Sequence, residues 1–297
     1  MPINDELMSA ASAITSPLLL SEAQKAALLK LLTDEDPAVV AQVRTSILAH
    51  GPQAAHWLRT HRLSDDPLLR RRTQAIIRIF ERQENDNRFL GFCLNPGQDF
   101  DLEKGAWLLA QTRYPTINVE AYRALLDQFA VAIAEKIDPS QRPKQLLVAF
   151  NQCFFGDFGF AGNEEDYYDP ENSYLNRVID RRKANPINLC LVYILLAHRL
   201  RLPVTGIGLP GHFVCRYQCS EAELYIDVFN HGKLLAKADC IQYLLQSNHN
   251  HTEEFLVPVN PRRILLRICG NLHQVYLHHD QADEATRFQR YLVALTK

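Results

Sequence analysis

The sequence predicts an α+β protein, mostly helical, in which one buried helix packs on a small antiparallel sheet and repeat-like helical segments flank that core. Three observations predict it. Apolar residues recur at helical spacing through the first ninety positions and again beyond position 100. The stretch from Ile187 to Leu196 is apolar on every side of a helix, the mark of a helix buried all round. Directly after it the period drops to two, as in strands.

Taken in order, Ser21 and Gln24 stand at capping-box spacing before KAALLKLL. In DEDPAVVAQVRTSILA, Asp36 is an N-cap and Pro37 the first helical residue, with Val39, Val43 and Ile47 on one stripe. Gly51 and Pro52 break that helix, and another runs through His56, Trp57 and Leu58. The pattern restarts in SDDPLLRRRTQAIIRIF, where Asp66 precedes Pro67 and Leu69, Ile76 and Phe80 share a face. Two D-P helix starts thirty residues apart suggest stacked helix pairs. The run Arg70, Arg71, Arg72 reads as a solvated helix face. NDNRFLGFCLNPGQDF reads as a linker, punctuated by Pro96 and Gly97. Tyr122, Leu126, Phe129, Ile133 and Ile137 then form a stripe behind an Asn118 cap, and QLLVAFNQCFF is another helix. GDFGFAGNEEDYYDPENSYL is a structured loop without the ligand spacing of a calcium loop.

Asn185 caps the buried helix, Pro186 suits its first turn, and Pro203 ends it near Arg201. In VTGIGLPGHFVCRYQ, residues His212, Val214 and Arg216 alternate with Phe213, Cys215 and Tyr217. AELYIDVF alternates too, and the short link QCSEAE makes the two strands an antiparallel hairpin. In one register His212 and Asp227 stand directly opposite; a shift of one residue sets them on opposite faces. Paired, Asp227 would fix the imidazole tautomer and stabilise its cation.

The order helix, strand with His, strand with Asp is that of papain-like and transglutaminase-like enzymes. Roughly residues 100 to 246 resemble the bacterial SirB-type branch of the transglutaminase-like superfamily, with NSYLNRV, PGHF and ID-x-F-N-x-G the telling pieces. The resemblance implies a papain-like core with His212 and Asp227 at the family's histidine and aspartate positions. It also implies that the nucleophile position, fifteen residues before Arg201, holds Pro186 instead of cysteine. Ala184 and Arg201 stand where glycines are usual in the branch, and Val228 where proline is. LLTDEDPAVVAQV resembles HEAT-type repeats. NPRRILLRICGNLHQVYLHHDQADEATRFQRYLVAL resembles the tetratricopeptide-like helix pair that often follows this core. The expected domains are a HEAT-like region over 1–95, a transglutaminase-like core over 96–246 and a helix pair over 247–297.

Cys190 lies one turn, about 6 Å, beyond Pro186 on nearly the same helix face. Flanked by Leu189 and Leu191, it reads as a core filler, with the nucleophile as the alternative. Asn185 and Asn188 are expected to supply polar contacts near His212, with backbone amides there able to hold an anion. The expected function is a non-catalytic or degenerate-site protein that binds a peptide or protein partner. The alternative is a hydrolase or acyltransferase on amide or ester bonds, working through Cys190 or a His212-activated water with Asp227 orienting the imidazole.

Hydrophobic content of 47% and charged content of 22% fit a soluble globular chain. The net charge of -2 argues against a nucleic-acid partner. The lack of an 18-residue apolar run argues against a membrane span. The nucleotide-binding and serine-hydrolase glycine motifs are absent, and no cofactor is expected. His249 with His251, and His278, His279 and Asp280, read as a polar loop and a helix end; no metal is expected at either. Seven cysteines without C-x-x-C spacing, and an N-terminus with acids and no basic segment before SPLLL, point to reduced thiols in a cytoplasm.

Overall fold

The fold is seen in a computed structural model, which describes residues 20–95, 100–138, 140–248 and 252–297. Residues 16–19 of the SPLLL segment, Pro96, Gly97, His249 and His251 lie outside the described residues. The chain forms two compact units, one ending at Glu84 and one spanning Asn85–Lys297.

The first unit holds α1 (Glu22–Leu32), α2 (Pro37–Ala49), α3 (Pro52–Arg59) and the start of α4 (Pro67–Leu94). Each start follows from its cap. The Ser21 hydroxyl accepts from Gln24 N–H while the Gln24 side chain accepts from Ser21 N–H, and Asp36 accepts from Ala38 N–H. Leu32, Val43, Ile47, Leu58, Ile76 and Phe80 meet in a small core. The arginine run does more than face solvent. Arg72 Nη1 donates to the Leu32 and Asp34 carbonyls at 2.6 and 2.9 Å, and Arg70 Nη1 to the Ser64 carbonyl at 3.0 Å. These bonds satisfy carbonyls that helix ends and turns leave open.

The segment expected to be a linker is helical as far as Leu94. Phe89 and Cys93, four residues apart, are both fully buried, while Gly91 between them is exposed and no proline interrupts the run. Helices α5 (Leu102–Arg113), α6 (Val119–Ala134) and α7 (Pro143–Asn151) follow. QLLVAFNQCFF is thus split: α7 passes into a π-helical turn over Gln152–Asp157. The acidic aromatic loop packs on itself. Asn163 Nδ2 donates to Asn172 Oδ1 at 2.8 Å, and Asn172 Nδ2 to the Asp166 carbonyl at 2.7 Å. Within and after it, β1 (Ala161–Gly162) pairs in parallel with β2 (Lys183–Ala184) around α8 (Leu175–Arg181).

Helix α9 (Pro186–Arg199) is buried on all sides from Pro186 to Ala197, as its sequence dictates. Each large apolar side chain enclosed there contributes about 1.5–3 kcal/mol of transfer free energy. Against it lies an antiparallel sheet in sequential order: β3 (Val204–Ile207), β4 (Val214–Gln218), β5 (Glu223–Asp227) and β6 (Lys233–Leu235). Its two faces obey the predicted alternation. Phe213, Cys215 and Tyr217 join the core around α9. Val214, Ile207 and Tyr225 face a second cluster with Cys240 and Leu244 of α10 (Lys237–Gln246). A short α11 (Thr252–Phe255) leads to the antiparallel pair α12 (Pro261–His278) and α13 (Ala282–Thr296). Ile264, Ile268, Tyr276, Phe288 and Tyr291 of that pair belong to the same core as α9. The chain therefore divides at 84, inside α4, and shows no separate body beyond 246: the apolar faces of α12 and α13 are buried against the core helix.

Candidate functional site

The hairpin β4–β5 carries the two residues singled out by sequence, but not in the register that sets them opposite. Cys215 pairs with Ile226 and Arg216 with Tyr225, two residues away from a direct His212–Asp227 pair. An even slip preserves the face, so the two become diagonal neighbours within side-chain reach. His212 Nε2 lies 2.9 Å from Asp227 Oδ1. A carboxylate only accepts, so Nε2 carries the proton and donates, which leaves Nδ1 with the lone pair in the neutral ring. Nδ1 has no hydrogen-bond partner among the described residues.

Asn230, three residues beyond Asp227, completes the carboxylate's shell. Its Nδ2 donates to Oδ2 at 2.7 Å and its backbone N–H to Oδ1 at 3.2 Å. Burial disfavours the charged carboxylate, but the hydrogen bonds from His212 and Asn230, with the imidazole's charge, outweigh it and hold the Asp227 carboxyl below its ordinary value. The ID-x-F-N-x-G motif contains this residue; the D-x-x-N spacing is the signal that a short-range side-chain-to-backbone turn offers.

The loop carrying Asn230 is clamped from behind. Gly232 has φ +71°, and a Cβ there would stand 2.5 Å from Asn151 Nδ2 and from the Phe155 ring of the π-helical turn. Asn151 Nδ2 donates to the Gly232 carbonyl at 2.8 Å, and Tyr193 of α9 donates to Asn151 Oδ1 at 2.8 Å. The buried helix thus reaches the aspartate's loop through two side chains.

His212 and Asp227 open onto a cavity of about 810 Å³, also lined by Phe229, Asn230, Lys233 and Tyr243. The Phe229 and Tyr243 rings stand 6.4 and 6.3 Å from the imidazole. Cys190 is not on this cavity. It is 0% exposed, its Sγ 3.5 Å from the Phe213 carbonyl, and burial pushes its thiol far above the ordinary range, with Cys215 and Asp227 adding to the rise. Cys240 does line the cavity, a thiol that the sequence reading passed over. Burial first, then the charges of Asp239, Asp227 and Glu223, push it up to about 11.

The asparagines expected beside His212 are engaged elsewhere. Asn185 Oδ1 accepts from Asn188 N–H at 3.1 Å and from Asn188 Nδ2 at 2.9 Å, while Asn185 Nδ2 donates to Ser173 Oγ at 2.9 Å. Asn185, Pro186 and Asn188 are all buried and none lines the cavity, because capping α9 and fastening the preceding loop hold them inside. His279 Nε2 bonds the Tyr168 carbonyl at 2.9 Å and His278 stacks on the Tyr168 ring, so this helix end fastens the aromatic loop. Among the described residues no group of three or more His, Cys, Asp or Glu side chains could hold a metal ion, and no helix is long and apolar enough to cross a membrane.

A family profile described as "Transglutaminase-like superfamily" matches residues 120–270, a span that contains α9, the four-stranded sheet and the His212–Asp227 pair. The chain belongs to that superfamily. The UPF0162 protein of Xylella fastidiosa (strain Temecula1) is 33% identical over 188 residues, covering 61% of this chain and 67% of the relative. The UPF0162 protein of Pseudomonas aeruginosa is 27% identical over 190 residues, covering 62% and 67%. Human F-box only protein 21 is 34% identical over 137 residues, 43% of this chain and 21% of its own length. No solved structure matches. These relatives support the SirB-type branch of the family. Arg201, where the branch usually has glycine, takes φ 58°, the left-handed conformation that glycine adopts without strain. Pro186, at the position the resemblance assigns to the nucleophile, is the first residue of α9.

Proposed function

We propose that this chain is a transglutaminase-like protein with a degenerate site, which binds a peptide or a peptide segment of a protein partner in the cavity beside His212. The observation that carries the reading is the state of the thiols. A cysteine mechanism needs an accessible thiolate. The nucleophile position holds Pro186, Cys190 is fully enclosed, and burial pushes the Cys240 thiol up to about 11. What lines the cavity instead is a recognition set: His212, Asn230, Lys233 and Tyr243 beside Leu209 and Val214. A peptide offers the matching alternation of donors, acceptors and apolar side chains. On this reading the HEAT-like and tetratricopeptide-like helices serve as docking surfaces. Its compartment is the cytoplasm, where seven unpaired thiols stay reduced.

Alkylation of the native protein across pH, with each cysteine quantified by mass spectrometry, tests this. Cys190 and Cys240 should stay unlabelled at neutral pH until the protein unfolds. Rapid labelling of Cys190 would overturn the reading.

A second reading rests on the His212–Asp227 pair itself. With Nε2–H fixed on Asp227 and Nδ1 free, His212 is arranged to take a proton from water in hydrolysis of an amide or ester. Hydrolysis of a panel of activated esters and peptide anilides, lowered about 100-fold by His212→Ala, would support it. Equal rates with the variant would remove it.

A further inference from the structure

Leu209, Pro210, Gly211 and His212 form the β-turn that delivers the imidazole: His212 N–H donates to the Leu209 carbonyl at 3.2 Å. Proline stands second, and Gly211 stands third at φ +69°, where a side chain would be strained. That pattern specifies the turn by itself, and many turns hold with less. Here three further bonds reach it from two helices. Arg267 Nη2 of α12 donates to the Leu209 carbonyl at 2.8 Å and to the His212 carbonyl at 2.7 Å, one at each end of the turn. The Tyr243 hydroxyl of α10 donates to the Pro210 carbonyl between them, at 3.0 Å.

Arg267 stands three residues after Ile264 and one before Ile268, at the border of the stripe that buries α12. Its guanidinium lies 5.4 Å from the Phe213 ring centroid, and Gly208 lets it approach: a Cβ there would stand 3.0 Å from Nη1. No carboxylate of the described residues pairs with it, so its charge serves the two carbonyls, and charge-assisted bonds are the strong ones. The Asp227 side of the pair is tied in the same manner, through Asn151 and Tyr193 to α9. The 2.9 Å bond between His212 and Asp227 thus joins a loop held from α9 to a turn held from α10 and α12. A turn that only connects two segments needs none of this. An imidazole that must meet a ligand or a proton at a set place needs its backbone held.

We propose that Arg267 and Tyr243 are positioning residues of the His212 site, each acting through carbonyls of the Leu209–His212 turn to hold the imidazole against Asp227. Helix α12 is then a working part of the site. The Tyr243 hydroxyl proton is committed to the turn, and its ring is what it offers the cavity. The inference rests on His212 being the working group of the cavity, which peptide binding and hydrolysis both require.

The test follows the His212 Nε2–H proton by NMR near neutral pH and measures its exchange with water. In the parent chain the signal should be visible and slow to exchange, because Asp227 holds the proton. Arg267→Met keeps an unbranched apolar stem and removes the donors, and should speed the exchange by about tenfold or more. Arg267→Lys still carries a cationic donor and should recover part of the protection. Tyr243→Phe should speed the exchange by a few-fold. Leu272→Ala is the control: Leu272 is fully buried on the same helix, and its loss lowers stability without touching the turn, so the ring proton should exchange as in the parent. An undetectable ring proton in the parent, or exchange that Arg267→Met leaves unchanged, overturns the proposal. Equal acceleration by Leu272→Ala also overturns it, since Arg267 would then serve stability alone. Tyr243→Phe loses one exposed hydrogen bond and keeps the ring, so it decides the matter where Arg267→Met does not fold; unchanged exchange there overturns the proposal. Binding of fluorescein-labelled tetrapeptides is measured on the same variants. If no tetrapeptide binds the parent while Arg267→Met loosens the ring proton, the peptide reading fails and the positioning role stands. If tetrapeptides bind the parent and Arg267→Met leaves the ring proton unchanged, the peptide reading stands and the positioning role fails.

Discussion

Arg201 is an exposed residue in left-handed backbone, φ 58°, directly after α9 and its end. A side chain there costs about 1 kcal/mol that glycine avoids. Arg201→Gly should therefore raise the denaturant midpoint, by a stability of up to about 1 kcal/mol, with an unchanged denaturant slope. Asp227 makes a second prediction at this scale. Its folded pKa is depressed, so its contribution is complete above the unfolded carboxyl value of about 3.9 and is lost as pH falls through the folded value. The stability gap between the chain and Asp227→Asn should be full near neutral pH and close in acid. Asn230→Ala removes the side-chain bond to Oδ2 that helps hold the carboxylate charged, so its gap should begin to close at higher pH. Urea denaturation at a series of pH values reads both. The Cys190 and Asp227 roles differ for a reason visible in the chain: one is surrounded by Leu189 and Leu191, the other by groups that hydrogen-bond a carboxylate.

The elements around the site are held by close approaches that only small residues allow. Gly162 admits the Phe229 ring, which would lie 2.7 Å from a Cβ, and Gly232 admits Asn151 and Phe155. Gly232 also needs its positive φ. Gly232→Ala should destabilise the second unit by about 2 kcal/mol or more and shift the His212 NMR signals, whereas an alanine at solvent-facing Gly91 meets nothing within 4 Å and should not. An unshifted His212 signal in Gly232→Ala would mean that the clamp does not set the loop. The strand elements were legible from their period of two. Their register was not, because alternation fixes only which face a residue takes and is blind to a slip of two.

At the scale of the whole molecule, each unit has its own main core, and that of the first unit is the smaller. Ile47 is fully enclosed in the smaller, and Ile47→Ala should cost about 2–5 kcal/mol of that unit's stability. Hydrogen exchange should rise in α2 and α3 while protection of α9 in the larger core stays as it was. Faster exchange in α9 as well would show the two units unfolding as one. Breakers such as Pro96 and Gly97 mark in sequence where a helix can stop, not where contacts stop, and the chain divides into compact units at 84. The helix pair at the end carries apolar faces that look self-sufficient in sequence, yet they are spent on the same core as α9.

The sequence by itself determined most element types, the N-caps at Ser21, Asp36, Asn118 and Asn185, and the burial of α9. These rest on periodicity and on hydrogen bonds between residues a few positions apart, which the chain order itself specifies. Only the tertiary structure decided that the pair meets on a diagonal, that Cys240 and not Cys190 borders the cavity, and that Arg267 comes to His212. Each of those depends on how far two distant segments slide along one another before their side chains interlock, and packing alone sets that distance.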